Sequence, residues 1–286
     1  MALIHAQFFS EVLGMQTAAC VILPQQTGAT QIGVQSPETT RSHWPCLWLL
    51  HGLSDDHTSW SRRTTIECQA EAAGIAVVMP NVHRSFYTDM AHGGKYWTHL
   101  TRELPEILRG FFPLSAARQD NAVAGLSMGG YGATKWLLRH PEMFCAGASL
   151  SGALDIAERC RSAPLELPDS LRQETLRLVF GDKRPDGTAD DLFFLAEQCR
   201  HASDTPPLLQ ICGTEDFLFA DNLRFRDHAL KQGLSLTTRN VPGDHNWTFW
   251  EQEISSVLSW LREQGFGVPP ATSAEATAEA TREGDR

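Results

Sequence analysis

Apolar positions in this chain come in short uninterrupted runs separated by longer stretches of helical periodicity. Phe8 to Leu23 reads as two neighbouring strands around a break at Gly14. Five runs bounded by turn-forming residues follow: Cys46–Leu50, Ile75–Met79, Ala122–Ala124, Ala146–Leu150 and Leu208–Cys212. A sixth, Leu234–Val241, alternates more, and Leu176–Phe180 reads as a further strand-like run ending at Gly181. Continuous runs suit strands covered on both faces, as in a parallel sheet.

Between them the pattern predicts helices over Thr64–Ala73, Lys95–Phe112, Tyr131–Arg139, Asp190–Cys199, Asn222–Gln232 and Thr248–Glu263. Gly74 and Gly233 stand where a left-handed C-terminal cap belongs. Pro105 lies inside the second stretch, where it should kink the helix or begin it afresh. Strand and helix alternate, so the fold class is α/β, a mostly parallel central sheet with helices on both faces. The roughly 55 residues between Gly152 and Pro206 are enough for a small cap rather than a large lid. From residue 269 to 286 Ala, Thr and Glu dominate, with no aromatic residue and no large aliphatic one. The expected division is therefore a domain over 1–268 and a disordered tail, because such a tail cannot bury enough surface to offset its ordering entropy.

At 286 residues with 42% hydrophobic content, the chain can build one substantial core. A net charge of −10 disfavours nucleic acid as a partner. No apolar stretch approaches a membrane span, and Met1 to Ser10 lacks the pattern of an export signal. The expectation is a cytoplasmic protein. Its seven cysteines form no CxxC pair and read as buried reduced thiols.

The candidate chemistry centres on Gly125-Leu126-Ser127-Met128-Gly129, which follows the Ala122–Ala124 run and precedes a helix. A serine between two such glycines, on a strand-to-helix turn, is the nucleophile elbow of the α/β-hydrolase fold. A serine hydroxyl needs a base, and the base an orienting acid, in the chain order Ser, Asp or Glu, His. Beyond the helix after Ser127 lie His201, His228 and His245. The first two fall in helical or helix-end stretches. His245 follows the last strand, where a loop can lean over the carboxyl edge of the sheet, and is the expected base. Asp216, after Leu208–Cys212, and Asp182, after Leu176–Phe180, compete for the acid. Asp216 is favoured because its strand should neighbour the one before His245. Glu215 reads as a solvated charge.

A tetrahedral intermediate also needs two N–H donors. Met128, at the start of a helix, supplies one candidate. Leu53, in the His51-Gly52-Leu53-Ser54 loop, supplies the other, with His51 bracing that loop rather than moving protons. Histidines 43, 57, 83, 92 and 99 show no metal-ligand spacing, so neither a metal nor another cofactor is expected. Trp44, Trp48, Trp60 and Trp97 read as core and pocket wall.

In His51-Gly52-Leu53-Ser54, Ser59-Trp60, Met79-Pro80-Asn81, Ser85 to Asp89, Gly125 to Gly132 and Gly243 to Trp250, the chain resembles the esterase D family, from about Phe8 to about Leu261. Within that family it looks most like the bacterial tributyrin esterases. The resemblance implies a serine carboxylesterase for short acyl esters. It puts the triad on Ser127, Asp216 and His245 and the oxyanion donors on Leu53 and Met128. The family also holds S-formylglutathione hydrolases, feruloyl and acetylxylan esterases and mycolyltransferases. The S-formylglutathione hydrolases usually carry Ser-Gly-Leu-Thr-Cys where this chain has His51-Gly52-Leu53-Ser54-Asp55. A small-molecule ester is the expected partner, and a homo-oligomer (dimer or tetramer) is compatible with the sequence. A catalytically silent hydrolase fold used for binding is the reading from another class.

Overall fold

The computed structural model describes residues 1–25, 42–162, 170–182, 184–199 and 205–268. The tail expected over 269–286, and His201, lie outside them.

Among the described residues, eight strands form one sheet in the order β1-β2-β4-β3-β5-β6-β7-β8. They are β1 (Ala2–Ser10), β2 (Met15–Leu23), β3 (Cys46–Leu50), β4 (Ala76–Pro80), β5 (Asn121–Leu126), β6 (Ala146–Leu150), β7 (Leu208–Gly213) and β8 (Leu236–Val241). β1 and β2 form a hairpin, and β2 runs antiparallel to β4; all other pairs are parallel. The hairpin turns where the sequence breaks, with Gly14 at φ +66° and its N–H on the Ser10 carbonyl at 2.9 Å.

Among the described residues, ten α-helices flank the strands: α1 (Ser59–Arg63), α2 (Ile66–Ala73), α3 (Tyr96–Thr98), α4 (Leu104–Phe111), α5 (Met128–Arg139), α6 (Ile156–Ser162), α7 (Ser170–Phe180), α8 (Leu192–Gln198), α9 (Phe219–Lys231) and α10 (Trp247–Glu263). Gly74 ends α2 at φ +64° and donates to the Ala70 and Glu71 carbonyls. Asn246 caps α10 by accepting the Phe249 N–H. The stretch expected over Lys95–Phe112 is one continuous helical run: α3 passes through a widened turn at His99–Glu103 directly into α4, and Pro105 sits just after that turn. Proline inside a helix lacks the N–H and crowds the preceding turn, and the widening falls immediately before it.

The strands are continuous apolar runs because both faces of the sheet are buried. Along β3, Cys46, Trp48 and Leu50 join one core with Leu104 and Leu108 of α4, Trp136 of α5, and Phe225 of α9. Leu47 and Leu49 face the other, with Ile66 and Ala70 of α2 and Ile254, Val257 and Leu261 of α10. Trp48 and Trp136 meet edge to face at 5.4 Å, a contact that adds about 0.5–1.5 kcal/mol to their burial. The four tryptophans expected together divide between these cores: Trp44, Trp48 and Trp97 lie in the first, Trp60 in the second.

Leu176–Phe180, expected as a strand-like run, folds differently. It is the last part of α7, not a strand. Leu176, Val179 and Phe180 are buried while Arg177 and Leu178 are exposed, a helical spacing hidden in a five-residue window. Asp182 therefore follows a helix between β6 and β7, and its side chain is exposed.

Candidate active site

β5 delivers Ser127 to the carboxyl edge of the sheet and α5 leaves from it. Ser127 sits at φ +54°, ψ −117°, a conformation costing about 1–3 kcal/mol for a residue with a side chain. The surroundings enforce it. The Ser127 N–H donates to the Leu150 carbonyl at 2.9 Å, and its carbonyl accepts from Tyr131 and Ala153. A Cβ on Gly125 would strike the Gly129 carbonyl, and one on Gly129 would strike the Leu50 carbonyl. The glycines on either side of the serine are thus required by close backbone approach on both flanks of the turn.

Three side chains from three loops converge here. His245 Nε2 lies 3.0 Å from Ser127 Oγ, and His245 Nδ1 lies 2.8 Å from Asp216 Oδ2. The second Asp216 oxygen accepts the Leu218 N–H at 2.8 Å. Asp216 is almost completely buried. Burial alone would raise its carboxyl, but the bonds from His245 and Leu218 outweigh it and hold the group below the usual carboxylate range. An acceptor-only carboxylate facing Nδ1 fixes the proton there and leaves Nε2 as the acceptor facing Ser127. The topology makes the meeting possible: β7 and β8 are paired in parallel, so the loops that follow them are neighbours.

The imidazole is also fixed by its ring contacts. Phe217 lies 4.5 Å from it and Trp250 meets it edge to face at 5.0 Å. Phe217 simply follows the acid and no local motif marks it, whereas Trp250 closes the Gly243–Trp250 segment, one helical turn past Asn246.

Facing Ser127 across the sheet edge is the loop after β3. His51 is buried, with Nδ1 donating to the Gly52 carbonyl at 2.7 Å and Nε2 accepting the Val82 N–H at 3.2 Å. Burial pushes its pKa down to about 4, although the Gly52 carbonyl favours the charged form. The neutral ring is a brace between two loops, the structural part expected of it. Asp55 adds a second brace: its carboxylate accepts the Gly52 N–H and its own N–H returns to the Gly52 carbonyl, both at 3.2 Å. Leu53 follows directly. Met128 opens α5, so its N–H has no acceptor within the helix. A cleft of about 520 Å³ opens beside this loop, lined by Leu53, Met90 and Tyr96 with Asp55, His83 and Arg84 at its polar side.

Glu215 is exposed, as a solvated charge would be, yet it accepts the N–H of Gly243. His228 lies in α9 with Nε2 near the Phe193 carbonyl. His99 is paired with Glu103 and Ser10. Among the described residues, no group of three His, Cys, Asp or Glu is arranged to hold a metal ion. No helix among them is long and apolar enough to cross a membrane.

A serine on a strained strand-to-helix turn, hydrogen-bonded to a histidine that is itself held by a buried aspartate, on an eight-stranded mostly parallel sheet, defines a serine hydrolase of the α/β-hydrolase fold. The chain belongs to the esterase family whose model, described as "Putative esterase", matches residues 23–261. An acetyl esterase of Caldicellulosiruptor saccharolyticus is 26% identical over 265 residues, spanning 91% of this chain and 98% of that one. Among solved structures, the fluorophosphonate-binding serine hydrolase FphF of Staphylococcus aureus, substrate bound, is 33% identical with a TM-score of 0.80. The S-formylglutathione hydrolase FrmB of Staphylococcus aureus, as apoenzyme, is 33% identical with a TM-score of 0.77. Each alignment spans 91% of this chain and 98% of the other. This protein is a serine esterase, a carboxylic ester hydrolase acting on small-molecule esters.

Proposed function

We propose that this esterase hydrolyses short-chain acyl esters, acetyl to butyryl, through an acyl-enzyme formed on Ser127. The observation that carries the reading is the continuous hydrogen-bonded line from Asp216 through His245 to Ser127 Oγ. Ser127 Oγ attacks the ester carbonyl while His245 Nε2 takes its proton. Asp216 holds the Nδ1–H and stabilises the imidazolium that results. The negative oxygen is received by the N–H groups of Leu53 and Met128, at the open end of a helix where the dipole favours an anion. The tetrahedral intermediate collapses, His245 returns the proton to the leaving alcohol, and water repeats the sequence to release the acid.

Similarity to an acetyl esterase supports a short acyl group, as does the modest length of chain that connects β6 to β7. Likeness to an S-formylglutathione hydrolase supports a second substrate class, the formyl thioester of a thiol, for which the same sequence applies with a thiol as the leaving group. Asp55 stands where those hydrolases usually carry cysteine, and here it braces Gly52. A panel of p-nitrophenyl acetate, butyrate and octanoate with S-formylglutathione separates the readings. The oxyester reading expects kcat/KM to peak at acetate or butyrate and to exceed that for the thioester. A thioester value ten or more times higher would transfer the assignment.

A further inference from the structure

Lys135 is fully buried on α5, two helical turns after Ser127. Burying an ammonium group is costly unless it is paired and hydrogen-bonded. Its Nζ donates to the Tyr87 carbonyl at 2.8 Å and to Thr88 Oγ1 at 3.0 Å, and it pairs with Asp190 Oδ1 at 2.5 Å. It also lies 4.5 Å from the centre of the Trp97 ring. Asp89 and Arg139 are the other charges that act on it, one favouring and one opposing its proton.

What Lys135 grips is a strained loop. His83, Phe86 and Tyr87 all have φ near +50°, which residues bearing side chains seldom adopt. The loop reaches back to the other side of the site. Tyr87 Oη donates to the His51 carbonyl at 2.9 Å, and the Tyr87 ring fills the space that a side chain on Gly132 would need. From the His51 carbonyl the chain runs through Gly52 to Leu53. A continuous contact path therefore joins the helix that carries Ser127 to the loop that carries the second N–H donor.

We infer that Lys135, acting through Tyr87, is a positioning residue that sets the Leu53 N–H at the height of the developing oxyanion. The inference rests on the proposed oxyanion role of Leu53. Asp190, just before α8, holds the far side of Lys135, while its carbonyl accepts the Tyr131 hydroxyl at 2.8 Å. The residues between β6 and β7 thereby contribute to the same clasp. A clasp with only a structural part would change the fraction of folded enzyme. A positioning clasp changes the rate of each folded active site.

Tyr87→Phe tests this directly, because it keeps the ring on Gly132 and removes the one bond to His51. Active sites are counted by fluorophosphonate labelling. Then kcat and KM for p-nitrophenyl butyrate are measured per labelled site, with the Kd of butaneboronic acid, which forms a tetrahedral adduct on serine. The expected result is kcat lowered about tenfold, KM within twofold, and boronate binding weakened by a similar factor; outright loss of one oxyanion donor costs roughly 10²–10³ in kcat. Lys135→Met should show the same split more strongly, and Asp190→Asn more weakly. If Lys135→Met does not fold, Tyr87→Phe and Asp190→Asn still decide. Unchanged kcat and boronate affinity per labelled site in Tyr87→Phe would overturn the inference and leave the Ser127 reading intact. Turnover by Ser127→Ala at the wild-type rate would overturn both.

Discussion

Glu215 reaches across from the acid loop to accept the backbone N–H of Gly243, two residues before His245. Around this bond, the Thr214 N–H meets the Val241 carbonyl at 2.9 Å and the Glu215 N–H meets the Gly243 carbonyl at 3.0 Å. The loops after β7 and β8 are laced together immediately upstream of Asp216 and His245. Glu215→Ala should therefore lower kcat several-fold with little change in KM, and Glu215→Gln should recover part of the loss. Steady-state kinetics on p-nitrophenyl acetate checks this; two variants with wild-type kcat would show that the lacing has no bearing on the base.

Asp216→Asn should lower kcat by about 10⁴, the scale seen when an amide replaces the triad carboxylate and the imidazole loses its correct tautomer. Asp182→Asn should leave activity within twofold, since Asp182 is exposed on the turn after α7. Kinetics of the pair, with near-ultraviolet circular dichroism to confirm native packing, reads the outcome. A severe loss in Asp182→Asn with a mild one in Asp216→Asn would move the acid.

His51 gives a pH signature in stability. Its folded pKa is about 4, below the histidine reference near 6.5, so the unfolded chain binds the extra proton first. The stability this ring contributes is complete above about pH 6.5. It is lost as pH falls toward 4, on the order of 3 kcal/mol over that window. Urea unfolding of the wild type and His51→Asn should show a stability gap that is widest at pH 7.5 and narrows steadily toward pH 4.5. A gap of constant width would mean that the buried ring is not the neutral brace described.

Much of this architecture was legible because the sheet is covered on both faces. Cys46–Leu50 and Ala146–Leu150 read as uninterrupted apolar runs, and that is how a two-faced core is written along a strand. The elbow was legible because close backbone contact leaves glycine as the workable residue at 125 and 129. Asp216 and His245 could be placed by topology, since adjacent parallel strands put their loops side by side. Leu176–Phe180 misled because five residues are too few to separate a helical face from a strand. Lys135 was invisible for the opposite reason. A lysine in a helix reads as solvated, and nothing local announces that Tyr87, Thr88 and Asp190 will gather around it. Glu215 is exposed, as a solvated charge is, but an exposed carboxylate can still hold a neighbouring loop.

In the mechanism proposed above, Ser127 carries the acyl group during turnover. Rapid acid quench of the enzyme with p-nitrophenyl butyrate, followed by proteolysis and mass spectrometry, measures it most directly. One butyryl group should appear on the peptide containing Ser127 within the first turnovers. It should decay at the steady-state rate and be absent from Ser127→Ala. Butyryl transfer to another residue, or undiminished hydrolysis by Ser127→Ala, would contradict the account.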